Sequence, residues 1–215
     1  MESYSQCGED LIINFIFDAL KIPFPTFLDL GAYHPIFLSN TYLFYQKGCQ
    51  GVCVEPDPTL CAEIKNVRPR DICLNIGVGT NNIEKAELYI LTTRTLNTFS
   101  RQTAENIQSQ GCHKIEEIMQ IPMVPVNQII EQYFTPCPNF ISLDAEGMDL
   151  EIIQSFDFAK FRPQVFSIET LSYSDNKTEK KITEFHDLMG QYGYFAYADS
   201  YINTIYVEKT AWDDR

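Results

Sequence analysis

The chain has 215 residues, 45% of them hydrophobic and 13% aromatic, which suits one domain with a sizeable core and excludes a disordered chain. Its formal net charge is −13 with no basic block, so a nucleic acid is not an expected main partner. No apolar run approaches a membrane span, and the opening "MESYSQCGED" has no charged-then-apolar leader, so a cytoplasmic location is expected.

In chain order, Glu9 to Leu20 carries apolar positions at helical spacing, with acids in its first turn, and "KIPFP" ends it. The loop "SYSQCG" before it can fold over a neighbouring site, which makes Gln6 a candidate contact. From Thr26 to Pro58 two short apolar runs, "FLDL" and "GVCVE", flank a glycine turn and a helix-length segment, the pattern of a parallel strand–helix–strand unit. Gly31 permits close backbone approach, and Glu55 closes the second strand where a carboxylate can accept from a ribose diol. The dinucleotide pattern G-x-G-x-x-G is absent, since Ala32, Tyr33, His34 and Pro35 follow Gly31. One glycine with Asp29 two positions earlier suits a cofactor without phosphates, and S-adenosylmethionine is the candidate. The plainer reading is a strand–helix–strand unit whose acids only cap strands.

Pro58 starts another helix, and "ICLNIGVG" reads as a third strand running into Gly77 and Gly79, with Asp71, Asn75 and Gly77 near an adenine. "KAELYILT" is a strand, followed by a long polar stretch to about Gly111 that reads as irregular. Residues from about 92 to 125 are expected to be an insertion, or lid, over the acceptor side of a single domain spanning 1–215. "FISLDAEGMDLEIIQSF" repeats the strand, carboxylate, glycine turn and helix, with Asp144, Glu146 and Gly147 in the turn and Asp149 starting the helix. "RPQVFSIET" is a buried strand ending at Glu169, then "KTEKKITEFHDLMGQYGY" is an amphipathic helix. The tail offers an antiparallel hairpin whose polar turn contains Asn203 and Thr204. Seven cysteines without C-x-x-C spacing point to a reducing compartment and no structural zinc.

"SYSQCGEDLII", "FLDLGAYHPIFLSNTYLFYQKG", "GVCVEPDP", "RPRDICLNIGVG", "LNTFS", "FISLDAEGMDLEIIQSFDF", "RPQVFSIE" and "INTIY" together resemble the FkbM-type methyltransferases over nearly the whole chain. The resemblance implies an α/β, Rossmann-like class I methyltransferase fold. Its mostly parallel seven-stranded sheet would end in an antiparallel hairpin, with helices on both faces. It also implies S-adenosylmethionine as donor and a sugar hydroxyl of a glycan or glycoside as acceptor. On the matching segments, the cofactor set becomes Gln6, Asp29, Gly31, Ala32, Tyr33, Ser39, Asn40, Glu55, Pro56, Asp57, Asn75 and Gly77. Many relatives carry a further small residue where this chain has "YHPIFL".

Methyl transfer to a weakly acidic hydroxyl calls for alignment and for a base or a metal. Asp144, Glu146, Glu169 and His34 are the catalytic candidates, and the three carboxylates could instead hold Mg²⁺ or Ca²⁺. Alternatively, Asp144 caps a helix or binds the methionine portion, and Glu169 forms a structural pair. His186 reads as structural, and His113 falls in the lid. Asn97, Thr98, Ser100, Asn203 and Thr204 are candidates for binding a polyhydroxylated acceptor, with Tyr33, Tyr173 and Tyr201 as stacking partners. Rival readings are a methyltransferase for a lipid or other non-sugar acceptor, and a non-catalytic binding module. Oligomeric state is open, a homodimer being one option.

Overall fold

Period-two alternation in the apolar strands places two helical layers around one sheet. The computed structural model describes residues 2–80, 83–145, 147–171 and 180–215. β1 (Phe27–Leu30), β2 (Gly51–Val54), β3 (Ile72–Leu74), β7 (Phe140–Leu143), β8 (Val165–Glu169), β9 (Tyr194–Asp199) and β10 (Asn203–Glu208) form a seven-stranded sheet in the order β3-β2-β1-β7-β8-β10-β9. The pairs up to β7–β8 are parallel, and β10 runs antiparallel to both β8 and β9. This is the class I methyltransferase arrangement implied by the resemblance.

Leu28, Leu30, Ile141, Leu143, Phe166 and Ile168 face one layer, packing with α5 (Val126–Tyr133), α6 (Asp149–Ser155) and α7 (Glu184–Gln191). Phe27, Cys53, Phe140, Val165, Ile205 and Val207 face the other. That layer holds α1 (Glu9–Ala19), the short α2 (Tyr42–Gln46), α3 (Pro58–Val67) and Trp212 of α8 (Lys209–Asp213). A smaller sheet, in the order β4-β6-β5, comprises β4 (Gly77–Gly79), β5 (Lys85–Leu91) and β6 (Ile115–Pro125), and α4 (Arg101–Ser109) packs on it.

Four expectations change. "ICLNIGVG" is two strands in two sheets, because Asn75 turns the chain out of the main sheet by donating to the carbonyls of Glu55 (3.0 Å) and Pro56 (2.8 Å). The stretch to Gly111 is ordered: Arg94–Leu96 is a 3-10 turn and Ser100 caps α4 by accepting from the Thr103 N–H. Asn203 and Thr204 lie in β10, and the hairpin turn is 200–202. The helix expected from Lys177 begins only at Glu184, after Lys181 has paired with Leu171 in an isolated bridge; residues 177–179 lie outside the described residues. Among the described residues, no helix is long and apolar enough to cross a membrane. The seven cysteines are free thiols, and Cys61 Sγ lies 3.1 Å from Cys73 Sγ in the α3–β3 layer.

The buried layer beneath β1 and β2 contains an ion network. Asp29 sits between Leu28 and Leu30 and must therefore point away from their face, toward α2 and α3. There it accepts from the Thr41 hydroxyl at 2.5 Å, which in turn accepts from Arg68 at 3.0 Å. Arg68 has no exposed surface; it pairs with Asp71 at 2.7 Å and lies 5.4 Å from the centres of both the Phe27 and Tyr45 rings. Asp71 also accepts from Gly51 N–H at 3.0 Å, anchoring the start of β2. Burial raises the Asp29 carboxyl, and Arg68, Thr41 and Ser142 pull it back. Replacing the cation leaves buried acids without their partner. Arg68→Ala should destabilise the protein by about 3–5 kcal/mol in urea unfolding, and a loss below about 1 kcal/mol would contradict this account.

Candidate active site

The carboxyl ends of β1, β2, β7 and β8 open onto a cavity of about 770 Å³. Gly31 forms its floor with φ +81°, and a Cβ there would lie 1.9 Å from the Asp144 carbonyl oxygen. Only glycine lets the β1 turn pass so close to the end of β7. Gly31 and Ala32 donate their N–H groups to Val54 O at 3.0 and 3.1 Å. Tyr33 follows in a left-handed conformation (φ +51°) and donates its N–H to Glu55 Oε2 at 2.8 Å. Glu55 Oε1 accepts from Asp57 N–H at 2.8 Å. Glu55 thus joins the two strand-end turns and lines the cavity. Burial pushes its carboxyl up to about 8, against these backbone donors.

Of the other cofactor candidates, Gln6, Pro56 and Gly77 line the cavity; Gly77 has no room for a side chain, because a Cβ would meet Met123 Sδ at 2.5 Å. Asp29, Ala32, Ser39, Asn40, Asp57 and Asn75 are absent from its wall and serve the framework. Ser39 accepts from Tyr42 N–H at 3.1 Å and Asn40 donates to Ser142 at 3.1 Å. Asp57 caps α3 through Thr59 N–H at 2.8 Å and takes Arg94 at 2.6 Å and the Asn97 amide at 3.1 Å on its other oxygen.

That last carboxylate clamps the 3-10 turn onto the β2–α3 corner. It brings Arg94, Leu96, Asn97, Thr98, Phe99 and Ser100 into the cavity wall beside Glu55 and Gly77. Asn97, Thr98 and Ser100, expected on the acceptor, therefore sit at the Glu55 end, and their side chains are engaged locally. The Asn97 carbonyl accepts from Leu91 N–H at 2.9 Å and Thr98 from Ser100 N–H at 3.1 Å. Asn203 and Thr204 are buried away from the wall: Asn203 donates to Glu9 at 2.9 Å, and Thr204 lies 2.8 Å from Thr170.

At the opposite end, Asp144 and Glu169 line the cavity, with Leu171 and Ile182. Glu146 and Tyr173 lie outside the described residues. Among the described residues, no group of three His, Cys, Asp or Glu that could hold a metal is gathered, so of the expected ligand set only Asp144 and Glu169 are seen on one wall. Asp149 starts α6 and binds the turn between, accepting from Ala145 N–H at 2.7 Å and Gly147 N–H at 3.2 Å, with burial raising its carboxyl. His34 is held by its own loop. Its Nδ1 accepts from Ile36 N–H (3.1 Å) and Phe37 N–H (2.8 Å). Its ring is also absent from the wall.

Sequence reasoning missed Arg94 and Met123 in the wall and took Phe99 only as part of "LNTFS", since their apolar or paired character names no chemistry. It read Glu9 only as a first-turn acid. Glu9 is fully buried and accepts from the Ser200 hydroxyl, the Asn203 amide and Cys7 N–H. Burial alone would raise its carboxyl, but these donors hold it below the usual range.

A glycine turn after β1, an acid just past β2, Asp144 just past β7 and Glu169 ending β8, all on one sheet edge, define the site of a class I methyltransferase fold. The sequence profile of the methyltransferase FkbM domain matches residues 29–196, and the chain belongs to that family. No curated protein matches it in sequence. In shape it is similar to the Burkholderia thailandensis 1,6-didemethyltoxoflavin-N1-methyltransferase solved with 1,6-didemethyltoxoflavin and S-adenosylhomocysteine (11% identity, TM-score 0.45, 94% of this chain and 77% of that one). It is also similar to the precorrin-6y C5,15-methyltransferase of Geobacter metallireducens GS-15 (10% identity, TM-score 0.44, 92% and 87%). A third is the 16S rRNA methylase ArmA (10% identity, TM-score 0.42, 93% and 82%). The family assignment rests on the domain match and not on these likenesses.

The close contact at Gly31 has a measurable consequence. Gly31→Ala should cost about 3 kcal/mol or more by combining a clash with the Asp144 carbonyl and an unfavourable φ. Gly48→Ala, with φ +93° but no described atom within 4 Å, should cost only about 1 kcal/mol. Thermal unfolding of the two variants checks the ordering.

Proposed function

We propose that this methyltransferase takes S-adenosylmethionine as its donor and methylates a sugar hydroxyl, in a glycan or a glycoside. Glu55 carries the donor assignment: a buried carboxylate beside the bare edge of Gly31, with two lone-pair sites engaged by N–H groups and further ones suited to a ribose diol. The wall around Gly77, Leu60 and Phe99 is apolar, which suits adenine. We assign the 94–100 stretch to covering this nucleoside end.

S-adenosylmethionine, when bound, supplies an electrophilic methyl group on its sulfonium. The chain's own residues align and deprotonate. Glu55 orients the ribose, and Gly31 allows the donor to approach the β1 turn. Asp144 and Glu169 accept hydrogen bonds from the acceptor's hydroxyls, and the reacting hydroxyl's proton passes to a carboxylate oxygen of one of them. A polyhydroxylated acceptor suits two carboxylates on one wall, in keeping with the sugar preference implied by the resemblance. One observation favours a second reading, an acceptor with an apolar portion: Leu171 and Ile182 line the same end.

Calorimetric titration should show S-adenosylhomocysteine binding, with Glu55→Ala weakening it by about 100-fold through loss of charge-assisted hydrogen bonds. No binding by the folded protein would favour a non-catalytic module. A screen of glycosides against their aglycones, read as a mass gain of one methylene, decides between the acceptor classes.

The raised Glu55 carboxyl adds a pH dependence. A carboxyl held at about 8 contributes stability that is full below its ordinary value near 4.5 and is lost as pH rises to about 8. The ligand-free protein should therefore lose part of its stability across that window, and Glu55→Gln should flatten the loss. Ribose hydroxyls donate to the ionised form, so S-adenosylhomocysteine affinity should rise about tenfold from pH 6.5 to 8.5.

A further inference from the structure

Two buried acids fold the N-terminal segment, and the mechanism above uses neither. Asp10 folds the segment on itself, accepting from the hydroxyls of Ser3 (2.6 Å) and Ser5 (2.9 Å) and from Tyr4 N–H (2.7 Å). Glu9 ties it outward. One of its oxygens takes the Ser200 hydroxyl at 2.6 Å and the Asn203 amide at 2.9 Å, and the other takes Cys7 N–H at 2.8 Å. Ser200 lies in the β9–β10 turn, and Asn203 pairs in register with Glu169 on the cavity wall. On the other flank, Ser39 donates its N–H to the Tyr4 carbonyl at 3.0 Å, and the Tyr4 ring meets Tyr42 edge-on at 4.9 Å.

Gln6 spans these two anchors and lines the cavity, while Gly8, with φ +89°, turns the chain into α1. Both anchors belong to the β1-loop and β8–β10 side, whereas Arg94 is held at the β2–α3 corner. The described charged residues of the wall are otherwise the carboxylates Glu55, Asp144, Asp149 and Glu169, with Arg94 paired to Asp57. A carboxylate-bearing ligand end placed there needs an N–H donor that adds no negative charge, and a glutamine amide is one.

We propose that Glu9 is a positioning residue that holds Ser5–Gly8 against the hairpin, so that the Gln6 amide meets the amino-acid end of the donor. This rests on the methyltransferase reading above. The test compares S-adenosylhomocysteine with 5′-methylthioadenosine, which lacks the amino-acid portion, by calorimetry on the full chain. Gln6→Ala should weaken S-adenosylhomocysteine about tenfold, the loss of one hydrogen bond to a charged group, and leave 5′-methylthioadenosine unchanged. Glu9→Gln should show the same selectivity and also faster hydrogen exchange in residues 2–8 of the ligand-free protein. Ser200→Ala, which removes one donor, should do both to a smaller degree if Glu9→Gln does not fold. Equal weakening of both ligands, or a loosened segment with unchanged S-adenosylhomocysteine affinity, overturns the proposal. Wild-type protein that binds neither ligand overturns the donor reading instead, while exchange in the ligand-free variants still reports whether Glu9 holds the segment.

Discussion

Arg68 is the interaction on which the nucleoside half of the sheet depends. It is a fully buried cation joined to Asp71, within hydrogen-bonding reach of Thr41, and through Thr41 connected to Asp29. Those contacts link the end of α3, the start of β2, the loop before α2 and the middle of β1. None of these pieces is long: α2 has five residues and β1 and β2 four each. Short elements bury little apolar area each, and the shared charged anchor ties them together alongside their core packing.

On that base, the acids divide into two populations. Asp10, Asp29, Asp57, Asp71 and Asp149 accept backbone, hydroxyl or guanidinium hydrogens and work as parts of the framework. Glu55, Asp144 and Glu169 reach the cavity, and so does Asp149, whose carboxylate is also taken up by the Ala145 and Gly147 N–H groups. Glu55 also belongs to both groups, because the N–H groups that fix the β1 and β2 turns end on the carboxylate assigned to the ribose. Any ligand that draws hydrogen bonds onto Glu55 therefore acts directly on the geometry of both turns.

The strand–turn–helix grammar around Gly31, Glu55 and Asp144 was legible because glycine turns and strand-terminal acids have local signatures. The layer placement of Asp29 was legible too, although it was read as a ligand contact: Leu28 and Leu30 flank it, and period two sends it to the opposite face. Asn203 and Thr204 read as turn residues on type alone, whereas their pairing with Glu169 and Ile168 makes them strand. The clamp from Asp57 to Arg94 joins residues 37 positions apart, and the tie from Glu9 to Asn203 joins residues 194 apart. No local pattern encodes such distances. His34 shows the converse limit, since residue type alone does not show that two neighbouring N–H groups end on its Nδ1.

The departure of the chain at Asn75 matters beyond the site. It leaves β3, the outer edge of the large sheet, only three residues long, with the exposed Ile72 at its start. At the other edge, β9 pairs with β10 across a register shift at Ile205/Tyr206, and Trp212 packs 5.0 Å from Tyr197 on its flank. Short, bulged or covered margins offer few aligned N–H and C=O groups to a second molecule. A sheet rich in buried valine, isoleucine and phenylalanine is thereby protected from recruiting foreign strands and from edge-to-edge self-association.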